Sequence, residues 1–301
     1  MRANGSDRRG TRRAGAPATR VAAFVLALAL GGCSSLPLQF NPFNPFDTNG
    51  RDGSNGPPPS YEALMRIGVA ALQGGDYSNA VGIFRRAAEL APREAPPFSA
   101  AGDALLQMGA VDEAIVSYNS ALGRDPHYAA ALHGVAKAYL ETGRPELALH
   151  PLSLALTDDP KDVRALLLIG VADDLTGNHG AAQDSYHHGL DLAPGDPGLS
   201  VDLAMSLTLT GDYPAAVQVL LPVVAAPTAS PQDRQTLALI YGLAGNKKEA
   251  SRLGRMDLDE AAVENNLAYY DSLRDLTPTA RERAIELLNG VAPVAENIPP
   301  M

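Results

Sequence analysis

The chain of 301 residues contains a single cysteine, Cys33. One thiol excludes an intrachain disulfide and is too few for a cysteine-based zinc site. The usual signatures of catalysis are also missing: no HExxH, no phosphate loop, no GxSxG and no dinucleotide fingerprint occurs. The six histidines form no ligand pattern. His187 and His188 are adjacent, so on a helix they point about 100° apart and cannot grip one ion from one face. Asp158-Asp159 and Asp173-Asp174 read as solvated charge rather than acid/base dyads. No enzyme, metal or cofactor is expected. A membrane span is lacking too: "VAAFVLALAL", Val21 to Leu30, is ten residues long, and such a helix covers roughly 15 Å of a hydrocarbon core of about 30 Å. Basic residues are scarce beyond the first 32 positions. Those positions hold six arginines and Asp7, so without them Lys plus Arg falls from 24 to 18, Asp plus Glu from 34 to 33, and the net charge is −15. That balance excludes nucleic acid as a partner and electrostatic adhesion to anionic lipid.

The arginines, the short apolar run and the small residues after it have the layout of a secretory signal. It ends in "LGGC", Leu30 to Cys33. This resembles the lipobox of bacterial lipoproteins. The resemblance implies a diacylglycerol on the Cys33 thiol, cleavage between Gly32 and Cys33, and an acylated new N-terminus. Several acyl chains bind a bilayer firmly, at about 0.8 kcal/mol per buried methylene. Ser34 follows the cysteine where aspartate would favour the inner membrane, so the resemblance implies the outer membrane, with the protein facing the periplasm. Arg12-Arg13 also admits twin-arginine export, but the apolar segment begins too far downstream, which favours general secretion.

Ser34 to Ser60 holds six prolines and three glycines in 27 residues. Proline removes donors and glycine raises backbone entropy, so this stretch reads as a tether. Phe40, Phe43 and Phe46 are half of the phenylalanines in the chain. Their "NPFNPF" context reads either as an interfacial aromatic segment or as a docking strip for a partner.

From Tyr61 the sequence repeats. Pro92, Pro126, Pro160 and Pro194 are 34 residues apart, as are Gly109, Gly143, Gly177 and Gly211. Ala80, Ala114, Ala148, Ala182 and Ala216 form a third column, and Gly68, Gly102, Ala136, Gly170 and Ala204 a fourth. Phe84, Tyr118, Leu152, Tyr186 and Leu220 form a large apolar one. Within the first unit Leu64, Ile67 and Ala71 share a helical face, Gly74-Gly75 breaks it, and a second helix turns Ala80, Phe84 and Ala87 inward. Small residues let the two helices approach, and the large column fills the gap to the next hairpin. One such hairpin cannot bury its own apolar face, so neighbours must stack.

A 34-residue period with these columns resembles the tetratricopeptide repeat. It implies an all-α, right-handed solenoid of five to six repeats over 61–256, with 1–32 as signal, 33–60 as lipidated tether, 257–290 as C-terminal capping helices and 291–301 as a flexible tail. The sixth repeat departs from the pattern: Gly254 and Asp257 stand where a bulky residue and an alanine are expected, which puts its second helix in doubt. Pro151 and Pro222 fall inside second helices and are expected to kink them. In the tail, Val263, Leu267, Tyr270 and Leu273 share a stripe, then Thr277 caps and Pro278 opens a last helix that Gly290 stops.

By repeat register, the first helix of each hairpin lines the concave surface. The residues facing it are Met65, Val69, Leu72, Leu106, His133, Lys137, Leu140, Leu167, Val171, Val201, Met205 and Leu239. The lining is mostly apolar, with Lys137 and Arg164 as its basic residues, and suits an amphipathic helix or apolar strand of a protein partner. Covering by neighbouring repeats or tail helices is the competing reading for each of these positions. His133 reads as ligand-contacting or solvated.

The end of the chain, "GNKKEASRLGRM" followed by "DLDEAAVENNLAYYDSLRDL", resembles the TadD family, repeat lipoproteins of tight-adherence (Flp) pilus systems. Asn265-Asn266 and the following "LAYYDSLR" carry most of that likeness. It implies a non-enzymatic assembly factor whose partner is the outer-membrane secretin of the pilus machinery. The competing class is a generic periplasmic scaffold for cell-wall enzymes or outer-membrane barrel assembly.

Overall fold

The structure, a computed structural model, describes residues 58–288. The signal segment, Gly32, Cys33, nearly all of the tether and the 291–301 tail lie outside the described residues. Among the described residues there are fourteen α-helices and no strand. They are α1 (Tyr61–Gln73), α2 (Tyr77–Leu90), α3 (Pro96–Gln107), α4 (Val111–Leu122), α5 (Ala129–Glu141), α6 (Pro145–Asp158) and α7 (Val163–Leu175). They continue with α8 (His179–Leu192), α9 (Pro197–Leu209), α10 (Tyr213–Ala225), α11 (Pro231–Leu243), α12 (Lys247–Gly254), α13 (Glu260–Arg274) and α14 (Pro278–Leu288). None of these is long and apolar enough to cross a membrane.

The glycine column explains how each hairpin turns. Gly75, Gly109, Gly143, Gly177, Gly211 and Gly245 all have φ between 64° and 83°, the left-handed region that side chains avoid. The N–H of the next residue then reaches back over the turn, as Asp76 N does to Ala71 O and Asp212 N to Leu207 O, at 2.9 and 2.8 Å. That is the six-to-one bond of a Schellman stop. The same residue starts the second helix: the carboxylates of Asp76 and Asp212 accept from Asn79 N and Ala215 N. In the hairpins of Gly75, Gly211 and Gly245, one glycine and one capping side chain therefore end one helix and begin the next within three positions.

The alanine column is fully closed, with Ala80, Ala114, Ala148, Ala182 and Ala216 at 0 % exposure. The large column lies between hairpins. Tyr118 is wholly buried, and a Cβ at Gly102 or Gly134 would come within 2.7 or 2.2 Å of its ring. Its hydroxyl donates to Asp103 Oδ1 at 2.8 Å. The two departures in the sixth repeat also have structural reasons. Helix α12 forms but has only eight residues. A Cβ on Gly254 would sit 3.1 Å from Val263 Cγ2, so the missing side chain lets α13 pack close. Asp257 receives the Arg234 guanidinium on both oxygens. Pro151 and Pro222 lie within α6 and α10.

First helices pack closely on the first helices of neighbouring hairpins along the row α1, α3, α5, α7, α9, α11, whereas the backbones of the second helices from α2 to α12 stay more than 8 Å apart, with α2 and α4 joined by the Arg85–Glu113 ion pair at 3.6 Å. The first helices therefore form the inner layer of the stack. Helix α13 continues it, packed on α11 and α12. Helix α14 does not remain at the end of the stack, because it folds back onto α9.

Candidate functional site: the inner surface

The inner layer presents two different surfaces. Along its open part, Val69 is 40 % exposed, and Met65, Leu72, Leu167, Val171 and Val201 are half-buried. Lys137 is half-buried beside Glu141, with Nζ 3.6 Å from Oε1. Burial pushes the Asp103 carboxyl up, against the Tyr118 hydrogen bond and the nearby Arg164 and Lys137 charges that pull it down. This part of the surface offers a discontinuous apolar strip with one polar spot at its middle.

The other predicted lining residues are closed. Leu106, His133, Leu140, Met205 and Leu239 are each less than a tenth exposed, so they pack the layer and do not line an open groove. His133 is neither solvated nor free for a ligand. Its Nε2 meets Asp162 Oδ2 at 2.6 Å, and the other oxygen of Asp162 caps α7 through Ala165 N at 3.0 Å. A histidine on one first helix is thus pinned to the cap of the next.

The Asp173-Asp174 pair needs a similar correction. Asp174 is not solvated: its side chain is 14 % exposed. It accepts from Ser206 Oγ at 2.7 Å and Tyr186 OH at 3.1 Å, and it pairs with His179 Nδ1 at 2.8 Å. Burial raises the Asp174 pKa despite these donors. The second nitrogen of His179 meets Glu282 Oε1 on α14 at 2.9 Å. Burial works against the charged imidazolium, but its hydrogen bonds to Asp174 and Glu282 win and raise its pKa. One sequence signal for this cluster existed. The column Leu72, Leu106, Leu140 turns polar at Asp174 and Thr208, where the fold-back helix docks.

Helices α8, α9, α10 and the start of α11 border a cleft of about 1000 Å³, which shares Val201 with the open strip. Leu190, Val201, Val219, Pro222 and Val223 form its apolar wall, with Asp202 among them. Burial, reinforced by Asp174 and Asp196, pushes the Asp202 carboxyl up to about 6. Among the described residues no group of histidine, cysteine and carboxylate side chains could hold a metal ion.

Comparison with known proteins identifies the architecture. A tetratricopeptide-repeat family model matches residues 105–171, and a second one matches 51–95. No curated protein matches the chain in sequence. Among solved structures, PilW, described as a widely conserved type IV pilus biogenesis factor, is 18 % identical with a TM-score of 0.63 over 69 % of this chain and 97 % of its own. The Pseudomonas aeruginosa pilF protein is 20 % identical with a TM-score of 0.59 over 69 % of this chain and 97 % of its own. A tetratricopeptide-repeat protein from Parabacteroides merdae is 17 % identical with a TM-score of 0.58 over 72 % of this chain and 86 % of its own. At these identities the likeness is one of fold. The described residues form an all-α solenoid carrying tetratricopeptide repeats, an architecture that in general presents protein-binding surfaces.

Proposed function

We propose that this chain is a non-enzymatic scaffold of pilus assembly, anchored by lipid on Cys33 to the outer membrane and facing the periplasm. Its inner surface holds an apolar or amphipathic segment of the pilus machinery, and the outer-membrane secretin of a tight-adherence (Flp) system is the partner. The observation that carries the reading is the strip of part-exposed apolar side chains on the inner layer: Met65, Val69 and Leu72 on α1, Leu167 and Val171 on α7, Val201 on α9. Apolar side chains left open on the inner face of an acidic secreted protein mark a protein contact more readily than a solvated face. The direction toward pili is supported by the fold shared with PilW, by "LGGC" and by the "NNLAYYDSLR" ending. The test is purification of the tagged chain from membranes of its native host, with secretin multimers measured in a deletion strain. Secretin should co-purify, and its multimers should fall without the chain. Unchanged multimers together with absent co-purification would overturn the reading in favour of a scaffold for cell-wall enzymes or barrel assembly.

A further inference from the structure

Helix α14 is not part of the repeat stack, yet it lies on the inner layer. Its anchoring is specific and small. Among its side chains from Pro278 to Ile285, only Ile285 is fully buried, where it joins a cluster with Met205, Leu239, Leu243, Tyr270 and Leu273. By comparison α13 is held by three buried side chains, Val263, Tyr270 and Leu273. One turn before Ile285, Glu282 meets His179 at 2.9 Å, and that imidazole is backed by Asp174. Arg281 donates to Tyr213 OH at 3.1 Å and to the carbonyls of Leu273, Arg274 and Leu276 that end α13 and begin the turn. The contacts thus divide into two sets. The Arg281–carbonyl bonds shape the turn between α13 and α14. The Glu282 contact and the packing of Ile285 on Met205, Leu239 and Leu243 are made with the groove itself, and any helix carrying the same pair of side chains could make them.

We propose that the inner surface of α9 and α11, with the His179 corner of α8, is a helix-binding site that α14 occupies in cis, and that the partner of this chain enters it by displacing α14. The partner segment is an amphipathic helix with a carboxylate facing His179 and an aliphatic side chain three residues later, directed into the Met205 and Leu239 cluster. This spacing puts both groups on one helical face, as Glu282 and Ile285 are. The polar residues Asp174 and Ser206 then have a role. They hold the His179 ring so that its far nitrogen points at the incoming carboxylate, which makes the site select against a purely apolar helix. Displacement is feasible because a partner helix with further apolar anchors could extend beyond Ile285 onto the open strip at Val171 and Leu167, which the described part of α14 leaves half-exposed.

This inference rests on the inner face being the partner surface, but its test does not involve a secretin. A fluorescent peptide of residues 276–288, "LTPTARERAIELL", is titrated against the full mature chain and its Ile285→Asp variant. The variant should bind the peptide at least tenfold more tightly than the wild type, whose site is filled in cis. Adding His179→Ala to the variant should cost at least tenfold in affinity. Circular dichroism checks that the repeats stay folded, and Glu282→Lys, which leaves the apolar cluster untouched, serves as the second way to free α14. Absence of peptide binding by both opened variants, or equal binding by the wild type, would overturn the proposal. A concentration-dependent dimer that exchanges α14 would assign the site to a second copy and overturn the partner assignment. Peptide binding without secretin capture would sink the pilus reading alone, and secretin capture without peptide binding would sink this one alone.

Discussion

Replacing Gly134 by alanine tests whether the close approach of hairpins is what the repeat columns encode. The new Cβ would lie 2.2 Å from Tyr118 Cε1, 2.5 Å from Cζ and 2.7 Å from Cδ1, against a comfortable carbon–carbon separation of about 3.5–4.0 Å. The ring has little room to yield, because Tyr118 is 0 % exposed and its hydroxyl is held by Asp103 at 2.8 Å. Overpacking of this kind costs about 1–3 kcal/mol. Pulling the hydroxyl from a carboxylate costs about 1.5–3 kcal/mol more if the ring moves. Alanine recovers about 1 kcal/mol of helix propensity in the middle of α5. The net expectation is a loss of about 1.5–5 kcal/mol. Gly82 in α2 is the control, since a Cβ there meets nothing within 4 Å, and Gly82→Ala should stabilise by up to about 1 kcal/mol. The chain itself suggests the rescue. One repeat on, Leu152 and Leu168 occupy the positions of Tyr118 and Gly134 and share one buried cluster. In a Tyr118→Leu background the Gly134→Ala substitution should therefore be tolerated, with a coupling of at least about 1 kcal/mol. Urea unfolding of the mature protein gives the stabilities. Hydrogen exchange in α4 and α5 localises the effect, because repeat arrays do not always unfold in one step. A Gly134→Ala protein as stable as the wild type would refute the close-packing argument.

The other expectations concern charge, the groove and the anchor. Asp202→Asn should stabilise the protein above pH 6 and do little at pH 4. The native carboxyl titrates at about 6 against an ordinary 3.8, so the native state binds the extra proton and wild-type stability falls as pH rises between those values, by on the order of 2–3 kcal/mol. Docking of α14 should weaken as pH rises. The Glu282 hydrogen bond adds to that of Asp174 in raising the His179 pKa, so docking gains from the protonated ring and loses that gain as pH rises through the docked-state value. Hydrogen exchange in α14, corrected for intrinsic rates, should accelerate as pH rises above the ordinary histidine value, and flat protection would count against it. Val171→Glu, at a half-buried position, should keep helicity and lower partner affinity by on the order of 2 kcal/mol, whereas Leu140→Glu, at 7 % exposure, should unfold its repeat. Cys33→Ala should release the protein from membranes or leave the precursor uncleaved; an unmodified Cys33 thiol in protein from the native host, seen by mass spectrometry, would refute lipidation.

The sequence by itself determined the stack. Six glycines 34 residues apart became six left-handed turns, and the alanine and aromatic columns became closed interfaces, because a periodic solenoid is built from contacts between neighbouring repeats. What lies between neighbours can be read from spacing along the chain. The stripe Val263, Leu267, Tyr270, Leu273 was legible for the same reason, since a single helix fixes its own face. Three things were decided only in three dimensions. The apolar pattern of a first helix gives which side faces inward but not how tightly the next helix covers it, so Leu106, Leu140 and His133 looked like lining and are packing. Asp174 looked solvated because its partners Ser206 and Tyr186 come from other helices. The docking of α14 joins Glu282 to His179 across 103 residues, outside any repeat, where no period in the sequence records the contact. Such a long-range meeting depends on the whole stack having already formed the surface it needs.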